Sequence, residues 1–123
     1  KTFGLDRIEK VILENHKFQI ISSFSREDFF KYSVGITTGN YKYQKVEIQF
    51  SQFSAGYIKS KPIHNSQKSI SHNSDGEVFS FEIYVTPELT QKIMSWGNHA
   101  KVLKPLELKL EIKTVLEKTL KEY

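Results

Sequence analysis

Four histidines, thirteen serines and three aspartates are the raw material for hydrolytic or metal chemistry, and their spacing decides whether any of it is assembled. His64, His72 and His99 make no close helical pair and no zinc spacing, and His16 stands apart. The absence of cysteine excludes thiolate metal sites, disulfides and a cysteine nucleophile. No Gly-x-Ser-x-Gly elbow is present, so a Ser/His/Asp triad would be a coincidence of composition. Glu107 and Glu111 form an ordinary solvated i, i+4 face, and Glu82 sits on a strand pattern beside exposed partners. The glycines at 35, 39, 56, 76 and 97 are scattered singly, which leaves no phosphate-cradling loop. These patterns predict no catalysis, no metal and no cofactor.

Nucleic-acid binding has more physical content. Tyr41, Tyr43 and Lys45 alternate onto one face of a strand, and Tyr84 joins them in a sheet; aromatics on an open sheet face stack bases. Against this, the strand Gly76 to Glu82 lacks the basic start of the RNA-recognition motif, and Phe79 and Phe81 fall in register with Ile83 and Val85 as core. The chain carries 18 Lys plus Arg against 14 Asp plus Glu, a formal charge of +4, with the excess confined to residues 1–62. Most of these cations are lysines, less suited than arginine to bidentate recognition of phosphate. A chain of 123 residues is one ordinary domain able to bury a core, and it has no apolar run long enough for a membrane span.

Residues 5–13 and the pairs Val11-Ile12 and Ile20-Ile21 favour extended structure and predict a strand. Ser25-Arg26-Glu27-Asp28 is a capping-box variant, stapled by Phe24 and Phe29, that predicts a short helix ending near Gly35. From Tyr41 the alternation is strict, with Val46, Ile48 and Phe50 on one face. A helix over 52–61 follows, with Phe53, Tyr57 and Ile58 on a shared face. Next come a strand over 63–71, the turn Asn73-Ser74-Asp75-Gly76 and a strand over 77–85. Thr86-Pro87-Glu88 caps a helix whose stripe is Leu89, Ile93 and Trp96 and which Gly97 closes. A strand over 100–103, Pro105 and a helix over 106–121 complete the order. The result is α+β: a ferredoxin-like β-α-β-β-α-β sandwich with an added C-terminal helix, preceded by a strand and a short helix.

Four local patterns together resemble one family. Thr2-Phe3-Gly4-Leu5-Asp6-Arg7-Ile8 resembles the last strand of a WYL domain, which typically ends in Arg-x-Phe-x-Leu-Asp-Arg-Ile. His64-Asn65-Ser66-Gln67 is similar to the His-Pro-Ser-Gln of the WCX extension found in bacterial WYL transcriptional regulators, with Asn in place of Pro. Ser95-Trp96-Gly97 and Val102-Leu103-Lys104-Pro105 fall where that extension has them.

The resemblance implies a fragment in three parts: 1–17 as the terminal strand of a truncated WYL domain, 18–40 as a connecting segment, and 41–123 as a WCX-like domain. It implies a cytoplasmic regulatory and oligomerisation role that couples effector sensing to DNA-binding heads. The expected partners are a second copy of the chain, DNA through a helix-turn-helix absent from this chain, and a nucleic-acid or small polyanionic effector. Arg7, and less directly Lys1, would belong to the effector-facing surface; the competing reading of Arg7 is a surface ion pair with Asp6 or Glu9. Lys59 and Lys61 stand where the family has an arginine, and with Lys45 and Lys68 either form a basic patch or remain separately solvated. The rival function is a stand-alone single-stranded nucleic-acid binding module using the Tyr43 and Lys45 face.

Overall fold

Apolar side chains on alternate residues must be buried on one side of a sheet, and the chain meets that demand with four strands and two crossover helices. The computed structural model describes residues 3–123. Its elements are α1 (Arg26–Phe30), β1 (Tyr43–Phe50), α2 (Gln52–Ser60), β2 (Lys68–Asn73), β3 (Gly76–Tyr84), α3 (Pro87–Met94), β4 (Ala100–Lys104) and α4 (Leu106–Lys121). The sheet is antiparallel throughout, in the order β2-β3-β1-β4. The β1-α2-β2 and β3-α3-β4 units therefore interleave, which is the ferredoxin-like topology.

Val46 lies opposite Phe81 and Ile48 opposite Phe79, so the inward-facing residues of the two central strands stack in register. With Phe50, Ile58, Ile83, Leu89, Ile93, Val102 and Leu108 they form the core. Phe50 is its hub, with ring centroids 6.0 Å from both Phe79 and Trp96. The β2–β3 turn has Gly76 at φ 135°, and a Cβ there would run into the Phe50 carbonyl, so the turn and the close approach both require glycine. At α3 the Thr86 hydroxyl accepts from the Leu89 N–H at 3.2 Å, with Pro87 in the first turn, as the sequence predicts. α4 buries Leu108 and packs Ile112 on the core, and the Thr90 hydroxyl donates to the Glu111 carboxylate at 3.2 Å. Leu110, Leu116 and Leu120 face outward.

Residues 25–40 lie against this sandwich. Val34 enters the core, and the Tyr84 N–H donates to the Tyr32 carbonyl at 2.8 Å. Glu88 accepts from the N–H groups of Thr37 (2.8 Å) and Ile36 (3.4 Å). Hydrogen bonding from Thr37 holds its carboxyl below the usual range. Gly35, at φ 96°, passes directly over that carboxylate.

Four expectations need correction. Residues 5–13 form no strand: a 3-10 turn covers Leu5–Arg7, and the chain beyond it has no ladder partner. Ile8, Val11, Ile12 and Leu13 are exposed, because β-propensity describes a fit to a neighbouring strand and none is in place among the described residues. The first helix stops at Phe30, well before Gly35, since Ser33 and Val34 turn inward to reach the core. α2 buries Ser54, Ala55 and Ile58 and leaves Phe53 and Tyr57 exposed, because small residues let the helix lie close to the sheet. β2 starts only at Lys68, as His64 to Gln67 are spent on a side-chain clasp.

Candidate functional site

The sheet face opposite the helices carries Tyr43, Lys45 and Glu47 of β1 beside Tyr84, Glu82 and Ser80 of β3, each pair directly opposite in the ladder. The segment after α1 folds over its upper end. The ring of Tyr32 stands edge-on to Tyr43 and Tyr84, at 4.6 and 5.7 Å between centroids, and Lys31 lies 5.3 Å from the centre of the Tyr32 ring. The Tyr43 hydroxyl donates to Glu82 at 3.0 Å, and that bond raises the phenol pKa. Lower on the face, Glu47 takes Lys104 at 3.2 Å and Lys45 at 3.5 Å; hydrogen bonding from Lys104, ahead of Lys45, lowers its pKa. The three tyrosines thus pack as a seam in which Glu47 is paired with two lysines, while Lys31 lies over the Tyr32 ring with no acidic partner among the described residues.

His64-Asn65-Ser66-Gln67 holds this region together. Ser66 bonds the edge of β3 twice, its hydroxyl accepting from the Glu82 N–H at 2.8 Å and donating to the Glu82 carbonyl at 3.2 Å. Gln67 donates to the Ile58 carbonyl at 2.9 Å and accepts from the Ile63 N–H at 3.0 Å, tying down the end of α2. The Nδ1 of His64 accepts from the Ser66 N–H at 3.1 Å, so the other ring nitrogen carries the proton, and the ring also bonds the Lys31 backbone. Burial lowers the His64 pKa against that bond. The clasp therefore joins three elements: the end of α2, the edge of β3 and the segment after α1.

The remaining sequence-predicted residues do not converge. Arg7 is exposed and lies 4.0 Å from Asp6. Lys1 lies outside the described residues. Lys45 is on the open sheet face and Lys59 on the helix side, where its ammonium reaches Glu77 at 2.6 Å; Lys61 follows α2 at the mouth of a cleft beside α3. The four lysines do not form one patch, because the sheet divides them: Lys45 and Lys68 are on the open face, Lys59 and Lys61 on the helix side. Glu77, which no motif in the sequence marks, occupies a core-facing position of β3 and is only 2% exposed. The Lys59 ammonium pairs with it and the Ser69 hydroxyl donates to it, which together hold its pKa low, and His72 lies 3.7 Å away. An acid in phase with Phe79, Phe81 and Ile83 was the available signal.

Two Ser–His contacts exist among the described residues. Ser66 is committed to β3 as above. Ser51 lies 3.0 Å from His99 Nδ1, while Ser54 donates to the His99 carbonyl at 3.1 Å and the His99 ring packs, tilted, against Phe53 at 5.0 Å between centroids. This joins the start of α2 to the turn before β4. In both contacts the polar atoms bind chain to chain.

A family model described as the WCX domain matches residues 42–120, well over half of the chain. The chain belongs to the WCX domain family. The matched span begins at β1 and ends within α4, so the family accounts for the sandwich and the clasp. The segment carrying Tyr32 and Val34 is packed on the WCX domain from outside that span. No curated protein matches the sequence. No helix among the described residues is long and apolar enough to cross a membrane.

Proposed function

We propose that this WCX domain is the regulatory and assembly module of a bacterial, cytoplasmic WYL-type transcriptional regulator. It acts without catalysis, holding two protomers in a fixed relation and passing effector occupancy to DNA-binding heads elsewhere in the protein. The WCX match carries the reading, since that domain is associated with WYL regulators. Two features support it. Residues 8–21 run outside the sandwich without secondary structure and with Val11, Ile12, Leu13, Phe18, Ile20 and Ile21 exposed, and a β-prone segment of this kind gains most by adding to a sheet edge. α4 likewise leaves Leu110, Leu116 and Leu120 uncovered.

Light scattering on the chain and on a deletion of residues 1–21 tests the reading. A dimer lost on deletion supports assembly through that segment, and a dimer that survives supports α4 or the sheet face. Monomers at high concentration in both would overturn it. Titration with a single-stranded oligonucleotide at two salt concentrations tests the rival: steeply salt-dependent binding abolished by Tyr43→Ala would replace the assembly role with nucleic-acid binding.

A further inference from the structure

On the helix side, α2, α3 and the segment at Val34 and Gly35 enclose a cleft of about 580 Å³. That volume is in the range of small-molecule sites. Val34, Ile58, Ile63 and Trp96 make its apolar lining, and the exposed ring of Tyr57, tilted against Phe53 at 5.9 Å between centroids, continues it along α2. Gly56 faces open space between those two aromatics, leaving a flat entry.

The charges at the cleft are unbalanced in one direction. Its acid, Glu88, is already occupied by the amides of Ile36 and Thr37. Its two ammonium groups, Lys61 and Lys92, take part in no ion pair among the described residues. An apolar slot with two uncommitted cations at its rim is complementary to one ligand class.

We propose that this cleft binds a small organic anion with a flat apolar body, the body lying against Ile58, Tyr57 and Trp96 and the acid group held by Lys61 and Lys92. Because α2, α3 and the residue 34–37 segment all contribute, occupancy would fix the seat of that segment and with it the position of Tyr32 on the opposite face. The site gives the regulatory reading an effector class; it rests on that reading for its purpose and not for its existence.

Trp96 is the single tryptophan and lines the cleft, so its fluorescence reports occupancy directly. Anilinonaphthalene sulfonate, an aromatic anion, serves as probe, and phenylnaphthylamine is its uncharged counterpart. The expected result is saturable one-to-one quenching of Trp96 by the sulfonate, with much weaker quenching by the amine. Lys61→Glu with Lys92→Glu should weaken the sulfonate about tenfold or more, whereas Lys109→Glu with Lys113→Glu on α4 leaves it unchanged. All four lysines are exposed, so the variants retain the fold. Equal quenching by the two dyes, or equal weakening by the two lysine pairs, overturns the proposal. Mass measured in the same samples keeps this outcome separate from the assembly reading, since a dimer that fails to bind the dye refutes only the site.

Discussion

The Lys59 ammonium lies 2.6 Å from the Glu77 carboxylate, an acid placed among the phenylalanines of β3 and sealed from water by α2. A buried carboxylate without its cation keeps the desolvation cost and loses the compensation. Lys59→Met should therefore cost about 1–3 kcal/mol in urea unfolding, although lysine itself is half exposed. Adding Glu77→Gln should return part of that loss, because the two residues are coupled. A Lys59→Met cost no larger than that of Lys101→Met would refute the pairing. The pH dependence has a definite sign. The folded pKa of Glu77 is depressed, so its contribution is present above the unfolded value of about 4.3 and is lost as pH falls through the folded pKa.

Two glycines should respond in opposite directions. Gly76 has positive φ and its Cβ would meet the Phe50 carbonyl, so Gly76→Ala should destabilise by about 2 kcal/mol or more. Gly56 is helical with open space around it, so Gly56→Ala should stabilise by about 0.5–1 kcal/mol. Thermal unfolding of both variants checks the assignment of α2 and of the hairpin in one experiment. A stabilised Gly76→Ala would mean that the hairpin closes differently.

The central sheet was legible because its period is exposed in the sequence: Val46, Ile48, Phe50 and Phe79, Phe81, Ile83 alternate without interruption, and each finds a partner in the observed register. The Thr86-Pro87 cap was legible for the same reason, being a local signal with a local cause. The face of α2 was not. Phe53 and Tyr57 make as good a helical stripe as Ser54, Ala55 and Ile58, and hydrophobicity favours the wrong set when close approach selects small side chains. The site was still less legible, since Tyr32 on Tyr43 and Lys59 on Glu77 are contacts between distant elements that no spacing encodes.

Tyr32 provides a third test. Its ring covers Tyr43 and Tyr84, and its carbonyl receives the Tyr84 N–H. Tyr32→Ala should leave the core intact while the Thr37 amide and the Tyr43 ring become more accessible. Hydrogen exchange at Thr37 and the environment of the Tyr43 ring report this directly. An unchanged Thr37 amide would show that Val34 and Glu88 alone hold the segment.

His64 sets how that segment responds to acid. In the folded state its Nδ1 accepts from the Ser66 N–H, and a proton added there would abolish that bond while charging a half-buried ring. The surrounding charges are Arg26, Glu27, Asp28 and Lys31 on the α1 side and Glu82 on β3, and burial outweighs the opposing Lys31 bond to depress the folded pKa. The neutral ring's contribution is therefore complete above the unfolded value of about 6.5, and it is lost as pH falls from there toward the folded pKa. Exchange of the Thr37 and Tyr84 amides should quicken relative to β1 amides across that window. His64→Gln keeps a side-chain acceptor without a titration, so it should remove the step. Retention of the same step in His64→Gln would assign it to another group and separate the clasp from acid sensing.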